Sequence, residues 1–131
     1  MKKIGILNQP ISAVIAGLGH LDTVVICDAG LPIPPGVMRI DLALTEGVPS
    51  FAQTVQTVQS EMKVERLVIA EEMITRSPQI FEFLQNTFPG LPIEKIPHTS
   101  FKSRTEEAAA IIRTGEFTPY ANVILIAGVI F

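Results

Sequence analysis

The segment Thr23–Cys27 constrains the fold most strongly, because it is β-branched and almost wholly apolar. A strand without a polar face is covered on both sides, as strands are inside an α/β sheet. Arg66–Ala70 and Asn122–Ala127 are similarly apolar, and helical patterns lie between these segments. This alternation with short connections predicts an α/β fold: a single layered α/β/α domain over residues 1–131, with a largely parallel or mixed central sheet.

Asn8 and Gly19 mark the ends of the first predicted helix. The side-chain oxygen of Asn8 can accept from the free amides of a first turn. Apolar residues then recur at helical spacing over residues 11–18. We expect Gly19 to end this helix in the left-handed conformation.

Similar signals locate the other elements. Ser50 and Gln53 fit a capping box for a helix that runs to Met62. Ser77 is expected to cap another helix, with Pro78 in its first turn, where no hydrogen bond is lost. The remaining expectations are strands at 39–44 and 92–96, a stiff proline-rich loop at 29–36, and a short helix running into a strand over 105–112.

Charge and apolar run length argue against several classes of protein. The net charge is −3 and the basic residues are scattered, whereas a nucleic-acid binder needs a clustered basic face. Cys27 is the only cysteine, so no intrachain disulfide can form, as in a reducing compartment. The run Val123–Phe131 is far shorter than the roughly 20 residues of a membrane-spanning helix. We therefore expect a cytoplasmic protein that neither binds nucleic acid nor inserts into membranes.

The sequence lacks the motifs of most cofactor chemistry. It has no glycine-rich phosphate cradle and no nucleophile elbow. Its two histidines and one cysteine are widely spaced, so a zinc site would have to borrow carboxylates. Cys27 lies inside the most apolar strand, which does not suit a covalent catalyst. We expect no cofactor and no metal, and chemistry that moves protons only.

Three titratable residues stand out by position. Asp28 lies at the carboxyl end of a buried strand, where open α/β sheets bind ligands, although a loop-capping role is equally consistent. His20 follows Gly19, where the helix terminus favours a protonated imidazole; an exposed cap is the alternative. His98 follows Pro97 at another crevice-facing strand end, or is a surface loop histidine.

The segment before the last strand carries polar groups. Tyr120 and Asn122 flank Ala121, so in an extended chain they point to one face and offer a hydroxyl and an amide together. Sugar hydroxyls need both donors and acceptors, so this pair suits a sugar. The structural alternative is a hydrogen-bonded turn that anchors the final strand.

Several short motifs resemble the D-ribose pyranase family, which shares its fold with L-fucose mutarotases. The resemblance extends over essentially the whole chain, with a departure at Gln9-Pro10 that leaves no basis for a substrate contact there. In chain order the motifs are Gly5-Ile6-Leu7-Asn8, Gly19-His20, Asp28-Ala29-Gly30-Leu31-Pro32, Arg113-Thr114-Gly115-Glu116 and Pro119-Tyr120-Ala121-Asn122.

The resemblance implies a cofactor-independent isomerase that binds D-ribose. It also implies a homo-oligomer, a decamer of two pentameric rings, with the residue matching His20 as proton donor. The sugar-binding residues it implies are Asp28, His98, Tyr120, Ala121 and Asn122. The alternatives are an L-fucose-type mutarotase, a non-catalytic cytoplasmic sugar-binding protein, and a purely structural ring protein.

Proton transfer is sufficient for pyranose–furanose interconversion. The hemiacetal opens, the aldehyde rotates, and the ring closes through a different hydroxyl. One group protonates the departing ring oxygen while another removes the proton of the anomeric hydroxyl, and histidine, with an ordinary pKa of about 6.5, can do either. We assign His20 as the acid and leave Asp28 and His98 as alternatives for the base.

Strand length separates two of these residues. If Thr23–Cys27 is extended at roughly 3.3 Å per residue, His20 and Asp28 lie about 15–20 Å apart. One subunit could not bring both to a small sugar. We therefore expect the site to be completed between neighbouring subunits, with the Tyr120–Asn122 segment crossing over.

Overall fold

A six-stranded sheet forms the centre of the protein in the computed structural model, which describes residues 1–131. The strands are β1 (Thr23–Cys27), β2 (Arg39–Asp41), β3 (Val64–Ala70), β4 (Ile93–Ile96), β5 (Ala110–Arg113) and β6 (Val123–Ala127). The helices are α1 (Gln9–Gly17), α2 (Phe51–Gln59), α3 (Glu72–Arg76), α4 (Pro78–Thr87) and α5 (His98–Arg104), and a 3₁₀ turn follows at Thr105–Glu107.

The sheet is mixed, with the strand order β2-β5-β1-β6-β3-β4. The pairs β2–β5, β5–β1 and β3–β4 are parallel. Strand β6 lies between β1 and β3 and is antiparallel to both. The predicted α/β class with a largely parallel or mixed sheet is confirmed. One consequence matters for the site: the start of β6 lies at the edge where β1, β3 and β4 end.

The side chains of β1 alternate between two apolar cores, one on each face of the sheet. Val24 and Ile26 belong to the larger apolar core, with residues of α1, α2 and α4. Val25 and Cys27 point to a smaller core closed by Phe101 of α5. All four strand residues are fully buried, as expected for a strand that has apolar side chains on both faces. No helix is long and apolar enough to cross a membrane.

Two of the predicted caps are present. The Asn8 side chain accepts from the Ile11 amide at 3.0 Å. Ser50 and Gln53 form the reciprocal capping box, although α2 ends at Gln59 rather than at Met62. Both caps involve residues three positions apart, so local sequence is sufficient to specify them.

The end of α1 differs from the prediction. Gly19 is not left-handed. The helix ends at Gly17, its C-cap residue Leu18 is extended, and the left-handed residue is Leu21, with φ 72°. Leu21 donates its amide to the Ala127 carbonyl at 2.9 Å. The turn is therefore set by a tertiary contact with the end of β6, which local sequence does not reveal.

The expectation for Ser77 also needs correction. Ser77 precedes α4, but its hydroxyl does not cap that helix and instead donates to the Met73 carbonyl at 3.5 Å. The reason is that α3 ends directly before α4, so Ser77 closes one helix while it opens the next. The short helix expected to run into a strand over 105–112 is present as the 3₁₀ turn Thr105–Glu107 followed by β5.

Candidate functional site

An open cavity of about 380 Å³ lies at the sheet edge where β1 and β4 end and β6 begins. Its lining is mostly polar, whereas a larger cavity of about 430 Å³ elsewhere has no titratable side chain in its lining. The polar cavity is the one that brings Asp28, His98, Tyr120 and Asn122 together, and it is therefore the candidate site. Its charged, aromatic and amide side chains are Asp28, Arg76, His98, Lys102, Tyr120 and Asn122.

Asp28 is held in the cavity wall by three hydrogen bonds. The Asn122 amide group donates to Asp28 Oδ2 at 3.0 Å, and the Gly30 backbone amide donates to Oδ1 at 2.9 Å. The Asp28 backbone amide donates in turn to Asn122 Oδ1 at 2.9 Å. An ionised carboxylate has about four lone-pair sites, so Asp28 can still accept from a ligand. Asp28 thus caps its loop and also lines the cavity, so the loop-capping and ligand-binding interpretations of this residue are compatible.

The environment of Asp28 makes its carboxylate more basic. Burial raises the pKa of Asp28 above its ordinary value of 3.8. Hydrogen bonds from Gly30, Asn122 and Leu31 and the charge of His98 oppose this rise without cancelling it. A half-buried carboxylate with a raised pKa binds a proton more readily than a free one, which is the property of a general base.

His98 is positioned through both its backbone and its ring. Its backbone amide donates to the Glu72 carboxylate at 3.0 and 3.2 Å, because Pro97 offers no side-chain cap for α5. The ring lies edge-on to Tyr120 at 5.1 Å between centroids and roughly parallel to Phe101 at 6.3 Å. Nδ1 is buried and has no hydrogen-bond partner. A buried nitrogen without a partner is costly unless a ligand binds it.

Tyr120 and Asn122 both line the cavity, but not as an extended pair. Tyr120 is left-handed with φ 61°, and the backbone amide of Asn122 donates to the Tyr120 carbonyl at 2.8 Å. The prediction of an extended segment is therefore wrong, and a tight turn brings both side chains to the cavity. The Ala121 side chain is buried in the larger core, so only its backbone is available to a ligand.

The motif Arg113–Glu116 supports the loops that carry the site. Arg113 donates to the Ala29 carbonyl at 3.0 Å and to both oxygens of Asp41 at 3.1 Å. The Glu116 carboxylate accepts from the Phe51 amide at 3.0 Å, and the Glu116 carbonyl accepts from the Ala29 amide at 2.9 Å. Sequence reasoning found this motif but gave it no role, because its partners are 65 or more positions away.

His20 lies apart from these residues, beyond the other end of β1. Its side chain is 51% exposed, and Nε2 is 3.0 Å from Glu65 Oε2. The separation expected from strand length is therefore present. The expected crossing of the Tyr120–Asn122 segment is not, because that segment lines the same chain's cavity with Asp28 and His98. His20 is therefore the predicted catalytic residue that does not line the cavity of its own chain.

Three residues of the site were not proposed as binding residues from sequence. Arg76 and Lys102 line the cavity, and Glu72 holds the His98 backbone. Arg76 and Glu72 belong to α3, a five-residue helix that was not predicted. Lys102 lies one turn beyond His98, a spacing that the sequence did show. No group of three or more histidine, cysteine or acidic side chains is arranged to hold a metal ion.

Comparison with known proteins identifies the family. The profile of the RbsD / FucU transport protein family matches residues 1–130. The chain belongs to this family. Among curated members, the D-ribose pyranase of Laribacter hongkongensis is 55% identical over 131 residues, covering 100% of both chains. The D-ribose pyranase of Bacillus licheniformis is 53% identical with the same coverage.

Solved structures of the family have the same fold. Bacillus subtilis RbsD, determined in complex with D-ribose, superimposes with a TM-score of 0.97 at 50% identity, with 100% of each chain covered. The fucose mutarotase of Streptococcus pneumoniae, determined with L-fucose, gives a TM-score of 0.81 at 21% identity, again with 100% of each chain covered, which shows the fold alone. The resemblance to D-ribose pyranases, and the fold shared with fucose mutarotases, are confirmed.

Proposed function

We propose that this protein is a D-ribose pyranase, an isomerase that interconverts the pyranose and furanose forms of D-ribose without a cofactor. The observation that carries the proposal is the polar cavity, which the Asp28–Asn122 pair lines together with His98, whose buried Nδ1 has no hydrogen-bond partner. Full-length D-ribose pyranases are 53–55% identical to the chain. The family member solved with D-ribose has nearly the same backbone.

The cavity residues fit the chemistry of a sugar. Asp28 offers a carboxylate that accepts, His98 offers a ring nitrogen, and Tyr120 offers a hydroxyl that both donates and accepts. Asn122 is buried and acts by fixing Asp28. We propose Asp28, His98, Tyr120, Ala121 and Asn122 as the ribose-binding residues, with Ala121 acting through its backbone.

Ring opening needs an acid at the ring oxygen and a base at the anomeric hydroxyl. The base takes the proton of the anomeric hydroxyl as the bond between that carbon and the ring oxygen breaks. The acid delivers a proton to the departing ring oxygen, and closure through another hydroxyl reverses both transfers. The raised pKa of Asp28 favours it as the base, and His98 Nδ1 is the alternative. Such positioned groups contribute roughly a hundred- to ten-thousand-fold in rate.

We propose His20 as the acid, supplied by a neighbouring subunit. Its distance from the cavity along β1, about 15–20 Å, excludes a direct role in its own chain's site. Exposed apolar residues favour assembly: Phe131 is 101% exposed and Ile130 88%. As the family resemblance implies, we propose a cytoplasmic homodecamer of two pentameric rings.

Magnetization-transfer NMR tests this function. Saturation of one anomeric signal of ribose is carried to the other ring forms only if they interconvert during the measurement. We expect catalytic amounts of the protein to increase transfer between pyranose and furanose signals of ribose. Faster exchange with L-fucose or D-galactose but not ribose would favour a fucose-type mutarotase. Ribose binding without faster exchange would favour a non-catalytic sugar-binding protein.

A further inference from the structure

We propose that Glu65 is a positioning residue for His20 and that it makes Nδ1 the ring atom that transfers the proton. This inference rests on the proposed function, in which His20 is the acid. It adds which nitrogen reacts and which side chain selects that nitrogen. The observations behind it are a short contact, a bulged strand, a glycine and a left-handed turn.

The contact between the two side chains fixes one ring proton. Glu65 Oε2 lies 3.0 Å from His20 Nε2. A carboxylate at neutral pH can only accept a hydrogen bond, so Nε2 must carry the hydrogen that joins them. The other nitrogen, Nδ1, makes no hydrogen bond within the chain. It is left free to face a ligand.

The strand that carries Glu65 is distorted at this residue. The pairing of β3 with β6 shifts register between Val64 and Arg66, so Glu65 is the extra residue of a β-bulge. Bulges redirect a side chain and are common beside active sites. The distortion therefore has a local use here, which is to direct Glu65 toward His20.

Gly128 leaves room for the Glu65 side chain. A Cβ atom at position 128 would lie 3.0 Å from Glu65 Cβ and 3.4 Å from Oε2. A side chain at this position would crowd Glu65 Cβ and touch the carboxylate that His20 contacts. The space that the Glu65 side chain occupies thus depends on a glycine at position 128.

The turn that carries His20 is held at several points. The Gly19 amide donates to Asp22 Oδ2 at 2.7 Å, and Ala127 exchanges two backbone hydrogen bonds with Leu21 and Asp22 at 2.9 Å. Leu21 is left-handed, which L-residues with a side chain adopt reluctantly. Strain of this kind persists only where the surroundings enforce it, and it is concentrated at functional sites. A merely exposed helix cap would need none of these restraints.

These contacts define the proton path. In the acid step the bond between His20 Nδ1 and its hydrogen breaks, and that proton goes to the sugar ring oxygen as the ring opens. The electron pair stays on Nδ1, and the imidazole becomes neutral with its remaining hydrogen on Nε2, bound to Glu65. On closure Nδ1 takes a proton back from the attacking hydroxyl. The imidazole keeps one orientation, and whenever it is neutral its hydrogen is on Nε2.

Three substitutions test the role of Glu65 in exchange kinetics. Glu65→Ala is expected to lower kcat roughly ten- to a hundredfold, part of the hundred- to ten-thousand-fold of positioned acid–base catalysis, with KM nearly unchanged. Glu65→Gln should recover part of this loss, because its amide oxygen can still accept from Nε2. The control is Glu94→Ala, which removes a glutamate of similar exposure on the adjacent strand, paired with Arg104. It should leave kcat and KM at wild-type values.

A spectroscopic measurement tests the tautomer without relying on activity. Solid-state NMR of protein labelled with ¹⁵N-histidine distinguishes the two neutral tautomers, and the chain has only two histidines to assign. We expect neutral His20 to carry its hydrogen on Nε2 in the wild type and in Glu65→Gln, and to become a mixture in Glu65→Ala. An Nδ1–H tautomer in the wild type, or wild-type kcat in Glu65→Ala, overturns the inference. Absence of exchange catalysis by the wild type overturns the proposed function instead.

Discussion

Asp28 and Asn122 lie 94 positions apart in the chain and are joined by two hydrogen bonds of opposite direction. The Asp28 backbone donates to the Asn122 side chain, and the Asn122 side chain donates to the Asp28 carboxylate, at 2.9 and 3.0 Å. Asn122 is 1% exposed. The end of β1 and the start of β6 therefore hold the carboxylate in place before any sugar binds.

Removal of this pair should weaken both folding and ribose binding. Asn122→Ala leaves the Asp28 backbone amide without its partner, which costs about 1–3 kcal/mol in the free energy of unfolding. Ribose affinity should fall too, because the carboxylate is no longer oriented. Urea unfolding and ribose titration calorimetry measure the two effects. Asn86→Ala, at an exposed position of α4, is the control and should change neither; unchanged ribose affinity in Asn122→Ala would contradict the positioning role.

The raised pKa of Asp28 predicts the acid limb of the activity profile. If the carboxylate is the base, kcat/KM should fall with decreasing pH at a midpoint above 3.8, the ordinary value for this group. Measurement of ribose exchange across an acid pH series locates the midpoint. Asp28→Asn should remove most of the activity at every pH. A wild-type rate that stays constant to below pH 3.8 would assign the base to another group.

Burial of Asp28 also predicts how stability depends on pH. The folded protein holds this proton more tightly than the unfolded chain does, because burial raises the pKa. The stabilisation by the protonated carboxyl is therefore complete below the unfolded pKa and is lost as pH rises through the folded pKa. The free energy of unfolding of the wild type relative to Asp28→Asn should decrease over that window. A relative stability that increases with pH would contradict the raised pKa.

Gly115 should tolerate no side chain. A Cβ atom there would lie 2.5 Å from the carbonyl oxygens of Thr45 and Val48, which are backbone atoms and cannot rotate away. We expect Gly115→Ala to lower the free energy of unfolding by about 1–3 kcal/mol, the usual cost of overpacking. Gly17→Ala is the matched control, since nothing lies within 4 Å of its added carbon. Equal stability of the two variants in thermal unfolding would show that the segment around Gly115 moves freely.

Sequence patterns correctly predicted those parts of the fold that depend on residues close together in the chain. Thr23–Cys27 forms a strand with the expected bounds because its apolar side chains need cover on both faces. The Asn8 cap and the Ser50–Gln53 box each join residues three positions apart. Strand order and the direction of β6 were not available, because they depend on pairings between distant segments.

In the candidate site, too, features set by nearby residues were predicted, and contacts between distant residues were not. Asp28 and His98 were found because strand ends are recognisable in sequence. The contacts that hold these two residues in place were not predicted, since Asn122 is 94 positions from Asp28 and Glu72 is 26 positions from His98. The left-handed Leu21 replaced the expected Gly19 for a related reason: its turn is tied to the end of β6.

Complementation between inactive subunits tests the central claim most directly. His20→Ala and Asp28→Asn should each remove most of the ribose exchange. Rings containing both kinds of chain, made by co-expression, should regain activity where the His20 of an Asp28→Asn subunit meets the intact cavity of a His20→Ala subunit. For equal amounts distributed at random around a head-to-tail ring, about a quarter of the sites are complete, so about a quarter of wild-type exchange is expected. Mixed rings no more active than either variant alone would contradict a site shared between subunits.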